Sequence, residues 1–371
     1  MFIAIVIVLA WFVGLILGFF YFTSDEYSYN PNPIDLNLPK PIKTGSSHIK
    51  LISKNNLGQL SHSPAIIFTN VNVHFFPDFA SDKLYLLDNS ENIKIQDTYG
   101  IPQNTKFWDI KIQGHFIYIG TDDGLKIMDI SNLIFSEIVG AFKTPNRIFQ
   151  VVVKDNRTYM VDDQAGFYIL DTSNIAHPQL ISYFKRLFNI YQIDEMSVVE
   201  NLVYVNDCST ISILDISDTS NPKLRSSYEP RYGFCPTANH TYGNQVDVID
   251  HLVFMNESYK SGIDPVINSH LSLLDVSDPS QPVYLGSSTL DSNVWSENAS
   301  FVGVTSKLVY LRSFNNINLI DFSNPKAPVE LGYYELPDES PYYKWNISLG
   351  ENNLIYVLDE DFNFYTLKYE P

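Results

Sequence analysis

Apolar and polar residues alternate along much of this chain in short runs, a spacing that is typical of β-strands rather than helices. Residues 146–188 contain four such runs in succession: FQVVVKD, TYMVDD, FYILDTSN and PQLISYF. Turn residues separate the first three runs, at Asn156 and at 164–166. The pattern therefore predicts four short antiparallel strands.

The third of these runs recurs along the chain. Its seven copies are LYLLD (Asp88), LKIMDISN (Asp129), FYILDTSN (Asp171), ISILDISD (Asp215), LSLLDVSD (Asp275), INLIDFSN (Asp321) and the degenerate FYTLK (Lys368). Successive copies are 41, 42, 44, 60, 46 and 47 residues apart. Repeats of this length indicate propeller blades or a β-solenoid, and four strands per repeat favour the propeller because solenoid coils are usually shorter. We therefore predict an all-β, seven-bladed β-propeller with four antiparallel strands per blade.

The two ends of the repeat array complement each other. The last repeat stops at 367–369, directly after its third strand, and so lacks a fourth. The strand-like stretch SHIKLISKN, at 47–55, precedes the first full repeat. Because an open ring would leave sheet edges exposed, we expect this N-terminal strand to close the last blade.

The recurring phrase, of the form LxIxDISNPxxP, follows a second strand such as LVYVND (202–207) or LVYLRS (308–313). In this it resembles the LVIVD repeat family, over most of residues 50–371. The resemblance implies a bladed propeller similar to those of prokaryotic surface proteins, and it implies no catalytic residues. The first copy departs from the pattern because it lacks the DISxP turn, and the last because it lacks the aspartate.

The aspartate of the phrase has a structural explanation. It follows the third strand, where its carboxylate can accept backbone N–H groups of the next two residues in an Asx-type turn. A ring of such carboxylates around a metal ion is disfavoured, since blade-related aspartates would lie far apart. The alternating apolar residues of the phrase are predicted to pack between neighbouring blades.

The N-terminus differs from the rest of the chain. Residues 2–22 contain no charge and are long enough to cross a bilayer as a helix. A cleaved signal peptide is the alternative, but the run is too long for one and no basic residue precedes it. We predict a transmembrane anchor at 1–22, a tether rich in proline and asparagine at 23–45 and the propeller at 46–371. A lone anchor before one large domain favours a propeller outside the cytoplasm.

The formal net charge of −18, from 42 acidic and 24 basic residues, argues against a nucleic-acid partner. Many acidic residues fall in loops that the propeller would place at one end. We predict a ligand-binding acidic face there, for a protein or a glycan, although aspartate also favours tight turns. Its candidate residues are Asp122, Asp123, Asp162, Asp163, Asp194, Glu195, Asp359, Glu360 and Asp361. Because these loops lack the full Ca²⁺-loop spacing, we predict no metal site and no cofactor.

The two cysteines, Cys208 and Cys235, fall in adjacent loops of the predicted propeller. A disulfide between them would be consistent with an oxidising compartment. A zinc site that adds His240 and His251 has no recognised spacing.

These features predict a membrane-tethered binding module outside the cytoplasm that serves adhesion, surface assembly or sensing. The chain lacks GxSxG, HExxH and phosphate-loop motifs, so we do not predict an enzyme. Propellers do occur among hydrolases and dehydrogenases, which leaves an enzymatic role as one alternative. A scaffold subunit that docks onto a membrane complex is the other.

Overall fold

Strands account for every regular element that the structure describes, which confirms the all-β prediction for that part of the chain. The computed structural model describes residues 42–43, 49–57, 68–70, 73–78, 83–87, 95–100, 106–131, 137–185, 195–206, 210–229, 246–260, 267–289, 300–305, 307–313, 316–336, 346–350, 352–359 and 362–370. All of these belong to one compact unit, Leu36–Pro371. None of them forms a helix that could span a membrane. The predicted anchor at 1–22 lies outside the described residues.

The strands assemble into separate sheets, numbered here in chain order. Two strands precede the first sheet: β1 (Ile42–Lys43) and β2 (Ile49–Asn56). Sheet 1 contains β3 (Phe68–Asn70), β4 (Val73–Asp78), β5 (Lys83–Leu87) and β6 (Ile95–Gly100). Sheet 2 contains β7 (Phe107–Gln113), β8 (Phe116–Thr121), β9 (Gly124–Asp129) and β10 (Glu137–Lys143). Sheet 3 contains β11 (Ile148–Lys154), β12 (Arg157–Asp162), β13 (Phe167–Asp171) and β14 (Gln179–Phe184).

The later sheets follow the same order. Sheet 4 contains β15 (Glu195–Val199), β16 (Leu202–Asn206), β17 (Ile211–Asp215) and β18 (Lys223–Tyr228). Sheet 5 contains β19 (Val246–Ile249), β20 (Leu252–Lys260), β21 (Ile267–Asp275) and β22 (Val283–Thr289). Sheet 6 contains β23 (Ser300–Thr305), β24 (Leu308–Ser313), β25 (Asn316–Asp321) and β26 (Val329–Glu335). Sheet 7 contains β27 (Asn346–Leu349), β28 (Leu354–Leu358) and β29 (Asn363–Tyr369).

Sheet 7 is completed by a strand from the other end of the chain. Strand β2 pairs antiparallel with β29, from Ile49 opposite Tyr369 to Asn56 opposite Asn363. The predicted closure of the last sheet by an N-terminal strand is therefore confirmed. Sheet 6 gains a fifth strand, because β1 pairs in parallel with β26. Ile42 and Lys43, which belong to the segment predicted as a tether, thus lie in a sheet.

The first strands of the sheets form a closed circle. Each first strand lies beside the first strand of the next sheet, and β27 of sheet 7 lies beside β3 of sheet 1. Successive strands of each sheet lie progressively further from this circle, so the fourth strands are outermost except in sheet 6, where β1 lies outside β26. Repeated four-stranded antiparallel sheets in this arrangement are the architecture of a β-propeller.

Apolar side chains fill the gaps between neighbouring sheets, as the alternating pattern predicted. Tyr159 and Phe167 of sheet 3 pack with Met196 and Val205 of sheet 4. The middle strands are buried on both faces, since each lies between two neighbouring sheets. Sheets 7 and 1 are joined in the same way, through Tyr356, Leu358, Phe364, Tyr85 and Leu87. Burial of each such side chain contributes about 1.5–3 kcal/mol, so the side chains packed between sheets are a main source of stability.

The two ends of the ring of sheets are distinguished by their connections. At the loop end, the second and third strands of each sheet are joined, as at 121–124 and 162–167, and the first strands begin. At the turn end, the third and fourth strands are joined, as at 171–179 and 215–223.

The turn end repeats one hydrogen-bonded turn from sheet to sheet. In each case the aspartate that ends the third strand accepts the backbone N–H of the residue two positions further on. These bonds are Ser131 to Asp129 (2.7 Å), Ser173 to Asp171 (2.9 Å), Ser217 to Asp215 (2.8 Å), Ser277 to Asp275 (2.8 Å) and Ser323 to Asp321 (2.7 Å). The predicted Asx-type role of the repeated aspartate is thereby confirmed for the backbone N–H of the second following residue.

Small residues on the fourth strands allow neighbouring sheets to approach these turns. The Ser182 hydroxyl donates to the carbonyl of Thr219, and the Ser226 hydroxyl donates to that of Pro279, both at 2.7 Å. The equivalent residue of sheet 2 is Gly140, where a Cβ would lie 1.9 Å from the carbonyl oxygen of Ile175. At this position, serine therefore bonds to the neighbouring sheet, and glycine leaves room for the close approach of its backbone.

Candidate functional site at the loop end

The loop end brings together the two kinds of segment that the sequence placed there. The Asp122 N–H donates to the carbonyl of Lys106 at 3.3 Å, and the Asp163 N–H donates to that of Arg147 at 3.2 Å. In both sheets, therefore, the hairpin after the second strand contacts the residue just before the first strand. The predicted sharing of one end by these segments is confirmed for sheets 2 and 3.

Asp162 lies inside its hairpin rather than on the surface. Its side chain is buried, and one carboxylate oxygen accepts the backbone N–H groups of Gln164 (2.9 Å) and Gly166 (2.7 Å). The other oxygen accepts the side-chain amide of Asn146 (2.9 Å) and the hydroxyl of Tyr168 (3.0 Å). A buried carboxylate needs such partners, and here four donors satisfy it. Asp162 therefore stabilises the hairpin between β12 and β13.

Asp359 repeats this arrangement in sheet 7. Its buried carboxylate accepts the backbone N–H of Asn363 at 2.7 Å, the Asn363 side-chain amide at 2.8 Å and the Tyr365 hydroxyl at 3.0 Å. Both hairpins place a residue with positive φ three positions after the aspartate, Ala165 at 59° and Phe362 at 60°. The carboxylates of Asp162 and Asp359 thus serve their own turns first.

Asp122 and Asp123 are exposed at the tip of the hairpin between β8 and β9. Asp123 accepts the Thr121 hydroxyl at 2.8 Å and forms an ion pair with Lys126 at 3.3 Å. The hydrogen bond from Thr121 contributes most to holding the pKa of the Asp123 carboxyl below its ordinary value. Asp122 accepts the indole N–H of Trp108 at 2.7 Å. Both carboxylates are thus in position to meet a ligand from solvent.

Trp108 and Arg147 link the two neighbouring sheets at this end. The guanidinium carbon of Arg147 lies 4.5 Å from the centre of the Trp108 ring, and its Nε donates to Asp163 at 2.7 Å. Together with the bond from Trp108 to Asp122, these contacts form a continuous series across sheets 2 and 3. We call Asp122, Trp108, Arg147 and Asp163 the loop-end array. Sequence analysis had identified the two aspartates but neither the tryptophan nor the arginine.

Trp108 differs from the other exposed large apolar residues that the structure describes. Those residues lie on the fourth strands of their sheets, counted outward from the circle of first strands: Leu51, Ile52, Ile138, Leu180, Tyr183, Leu224, Val283 and Tyr333. Trp108 is 37% exposed and lies on β7, an innermost strand. It therefore lies on the circle of first strands, where folding does not require an exposed indole.

Two further carboxylates join first strands to each other. Asp109 accepts the backbone N–H of Val151 at 2.8 Å, and Asp247 accepts that of Val304 at 3.1 Å. In each case the donor lies on the first strand of the next sheet. Burial raises the pKa of both carboxyl groups above the ordinary value for aspartate, and the hydrogen bonds partly oppose this shift.

The remaining predicted site residues are described only in part. Glu195 begins β15, and its backbone pairs with that of Asn206. Asp194, Glu360, Asp361, Cys208 and Cys235 lie outside the described residues. No group of three or more histidine, cysteine or acidic side chains that could hold a metal ion occurs in the part of the chain that the structure describes.

Comparison with known families identifies the repeat. The family model of the LVIVD repeat matches residues 106–144, 149–185, 193–229 and 266–289. These segments coincide with sheets 2, 3 and 4 and the outer half of sheet 5. The chain therefore carries LVIVD repeats, as the resemblance of its recurring phrase indicated. No curated protein matches the chain.

Solved structures share the fold at low sequence identity. The WD40 domain of Pan2 from Neurospora crassa covers 89% of this chain and 98% of its own length, with a TM-score of 0.61 and 8% identity. A chain of the S. cerevisiae complex of Dbp5 with Nup159 and Gle1 covers 89% and 98%, with a TM-score of 0.57 and 12% identity. BamB from Moraxella catarrhalis covers 86% and 100%, with a TM-score of 0.54 and 9% identity. Identities this low establish the shared β-propeller fold alone.

Proposed function

We propose that this chain, which carries LVIVD repeats, is a seven-bladed β-propeller that binds a protein partner through its loop end. The proposed blade number counts one blade for each of the seven sheets. The contacts between successive first strands support it, since they run from sheet 1 to sheet 7 and back to sheet 1.

The loop-end array is the observation that carries the proposal. It exposes a tryptophan and an arginine, two of the side chains that contribute most to protein interfaces. A hydrogen bond, an ion pair and a ring contact hold these side chains in place. A surface fixed in advance loses little conformational entropy when a partner binds, which favours affinity.

The turn end supports the same choice by contrast. Its aspartates are engaged in the same backbone turn in sheet after sheet, and its serines contact the neighbouring sheet. These roles explain the residues present there without a ligand. Among the similar structures, Dbp5 is bound to Nup159 in one complex, which agrees with a protein as the partner of this propeller.

Membrane tethering is part of the proposal. The uncharged run at 2–22 would anchor the chain, and the propeller would lie outside the cytoplasm and serve adhesion, surface assembly or sensing. The pairing of β1 with β26 supports a tether that ends at the outer edge of sheet 6. A disulfide between Cys208 and Cys235 would fit this location.

Site-specific photo-cross-linking tests the proposed binding surface. A cross-linkable amino acid would replace Gln164 at the loop end or, as a matched control, Asn174 at the turn end of the same sheet. Both positions are exposed. In cells that produce the full chain, we expect a cross-linked protein from position 164 alone. Cross-links from position 174 alone, or from both positions equally, would contradict the choice of the loop end. Cross-links from position 164 to a glycan would indicate that the loop end binds a glycan rather than a protein.

Thiol labelling tests the proposed location. Intact cells would be treated with a membrane-impermeant thiol reagent, with and without prior reduction. We expect Cys208 and Cys235 to react only after reduction, as bridged cysteines outside the cytoplasm would. Labelling only after cell lysis, without a reductant, would instead place a reduced propeller inside the cell and favour an intracellular scaffold.

A further inference from the structure

The loop-end array also indicates the chemistry of the partner. We infer that Trp108 and Asp122 form a receptor for an arginine or lysine side chain of the partner protein. This inference rests on the proposed function, since it concerns the same surface. It assigns a specific contact to two residues whose roles the fold alone does not explain.

The Trp108 ring already binds a guanidinium group within the chain. Arg147 lies over the ring at 4.5 Å from its centre, within the range of a cation–π contact. Donation of the indole N–H to the Asp122 carboxylate increases the electron density of the ring, which strengthens its attraction for cations. The Trp108 residue as a whole is still 37% exposed in the presence of Arg147, so it remains accessible to another group.

A carboxylate lies beside the exposed Trp108. A cation that approaches Trp108 also meets exposed Asp122, whose hydrogen bond to the indole fixes the distance between ring and carboxylate. The pairing of Arg147 with Asp163 and Trp108 shows the same chemistry within the chain, because one guanidinium contacts a carboxylate and an aromatic ring together. Cation recognition by a ring and a carboxylate at once is stronger than by either alone.

Long-range charge also favours a basic partner. The net charge of −18 attracts basic segments and repels acidic ones before any contact forms. Attraction of this kind has no preference for one face of the propeller. The array would provide that preference, since it places an exposed tryptophan and a carboxylate that accepts its indole N–H together at the loop end.

Peptide binding to the full chain tests the inference. The probes are a short fluorescent peptide that contains several arginines, the same peptide with citrulline at those positions, and a neutral oligosaccharide. Citrulline keeps the shape of arginine but carries no charge. We expect the arginine peptide to bind, and the citrulline peptide and the oligosaccharide to bind much more weakly in fluorescence anisotropy.

Variants then separate the array from the bulk charge. Trp108→Ala should weaken binding of the arginine peptide by about five-fold, the amount expected from loss of one cation–π contact. Trp108→Phe keeps a ring but cannot donate to Asp122, so its effect should be smaller. Asp122→Asn should also weaken binding. Leu224→Ala removes a more exposed apolar side chain from an outer strand and should bind the peptide as the unaltered chain does.

Three results would overturn the inference. Equal binding by Trp108→Ala and the unaltered chain would show that the net charge alone attracts the peptide. Equal binding of the citrulline peptide would exclude a cation receptor, and oligosaccharide binding that depends on Trp108 would make the array a glycan site. If cross-links from position 164 persist in any of these cases, the protein-binding loop end stands and only the cation receptor fails. Thermal unfolding of Trp108→Ala serves as the check that the variant folds.

Discussion

Aspartate serves different purposes at the two ends of the propeller. At the turn end, five aspartates from sheets 2 to 6 accept the same backbone N–H group at distances between 2.7 and 2.9 Å. At the loop end, Asp162 is buried among four donors, whereas Asp122 is exposed and accepts an indole N–H. The repeat is thus uniform where it makes a turn and variable where it faces a candidate ligand.

The contrast between the two ends explains how a repeated fold can carry one specific site. A backbone turn imposes the same requirement in every sheet, so its residues recur and are visible as a pattern. A ligand touches only part of a ring, so residues that bind it differ from sheet to sheet. Irregularity within a regular repeat is therefore the better guide to function, and Trp108 is an example.

The largest effect is expected at the buried loop-end aspartate. Asp162→Ala leaves several buried donors without an acceptor, and we expect the free energy of unfolding to fall by about 3 kcal/mol. Urea denaturation measures this loss. Asp122→Ala is the matched control, because the exposed carboxylate at the same end should contribute less than about 0.5 kcal/mol. If both variants unfold like the unaltered chain, Asp162 does not hold its hairpin.

A smaller and uniform effect is expected at the turn end. Asp275→Ala and Asp129→Ala each remove one acceptor of a partly solvated hydrogen bond, which should cost about 1 kcal/mol in the free energy of unfolding. The corresponding asparagine variants retain an oxygen acceptor and should be close to the unaltered chain. Clearly unequal losses at the two positions would show that the turns are not equivalent, and that the turn end is not more uniform than the loop end.

The pH dependence of stability should have opposite signs for the two kinds of carboxylate. The pKa of Asp215 is lowered to about 2, chiefly by hydrogen bonds from Ser217 and also by Arg225. Its stabilising contribution is therefore present above about pH 4, the ordinary value for aspartate, and is lost as the pH falls toward 2. The stability advantage of the unaltered chain over Asp215→Asn should shrink in that range, as measured by urea denaturation.

Asp109 should show the reverse. Because burial raises its pKa in the folded state, its favourable contribution is present below the unfolded value and is lost as the pH rises through the folded value. The stability of Asp109→Asn relative to the unaltered chain should therefore increase from acidic to neutral pH. A parallel pH dependence for Asp109→Asn and Asp215→Asn would show that the two carboxylates do not differ in this way.

The smallest effect is expected for the exposed ion pairs of the two ends. Arg147→Ala removes a pair with Asp163, and Arg225→Ala removes one with Asp215. Exposed pairs contribute little, so each variant should lose less than about 1 kcal/mol in thermal or chemical unfolding, and less still at high salt. Arg147→Ala should change peptide binding at the loop end, whereas Arg225→Ala should not. Equal effects on binding would remove the distinction between the ends.

Much of the fold was predictable because its requirements are local. Alternation of apolar residues fixes which side chains lie between sheets, and the missing fourth strand of the last repeat required one from elsewhere, which β2 provides. Strand β1 could not be predicted in this way, since two residues carry no periodic pattern. Its formation depends on the free edge of β26 rather than on its own sequence.

The site was less predictable because its contacts connect separate sheets. From the sequence alone, Asp162, which is buried, and Asp122, which is exposed, were both predicted to bind a ligand. The difference was present in the tyrosine six residues further on, since Tyr168 follows Asp162 and Tyr365 follows Asp359, but Met128 follows Asp122. No such signal joins Trp108 to Arg147, because their contact depends on how two neighbouring sheets pack.

The pairing of β2 with β29 has a consequence for synthesis of the chain. Asn56 and Asn363, which lie at one end of this pair, are 307 residues apart. At a usual rate of translation, β2 waits roughly 15 to 60 seconds for its partner. Sheet 7 is therefore completed last. If translation stops before Asn363, β29 is not made and β2 has no partner. The ring can thus close only after the last repeat has been translated.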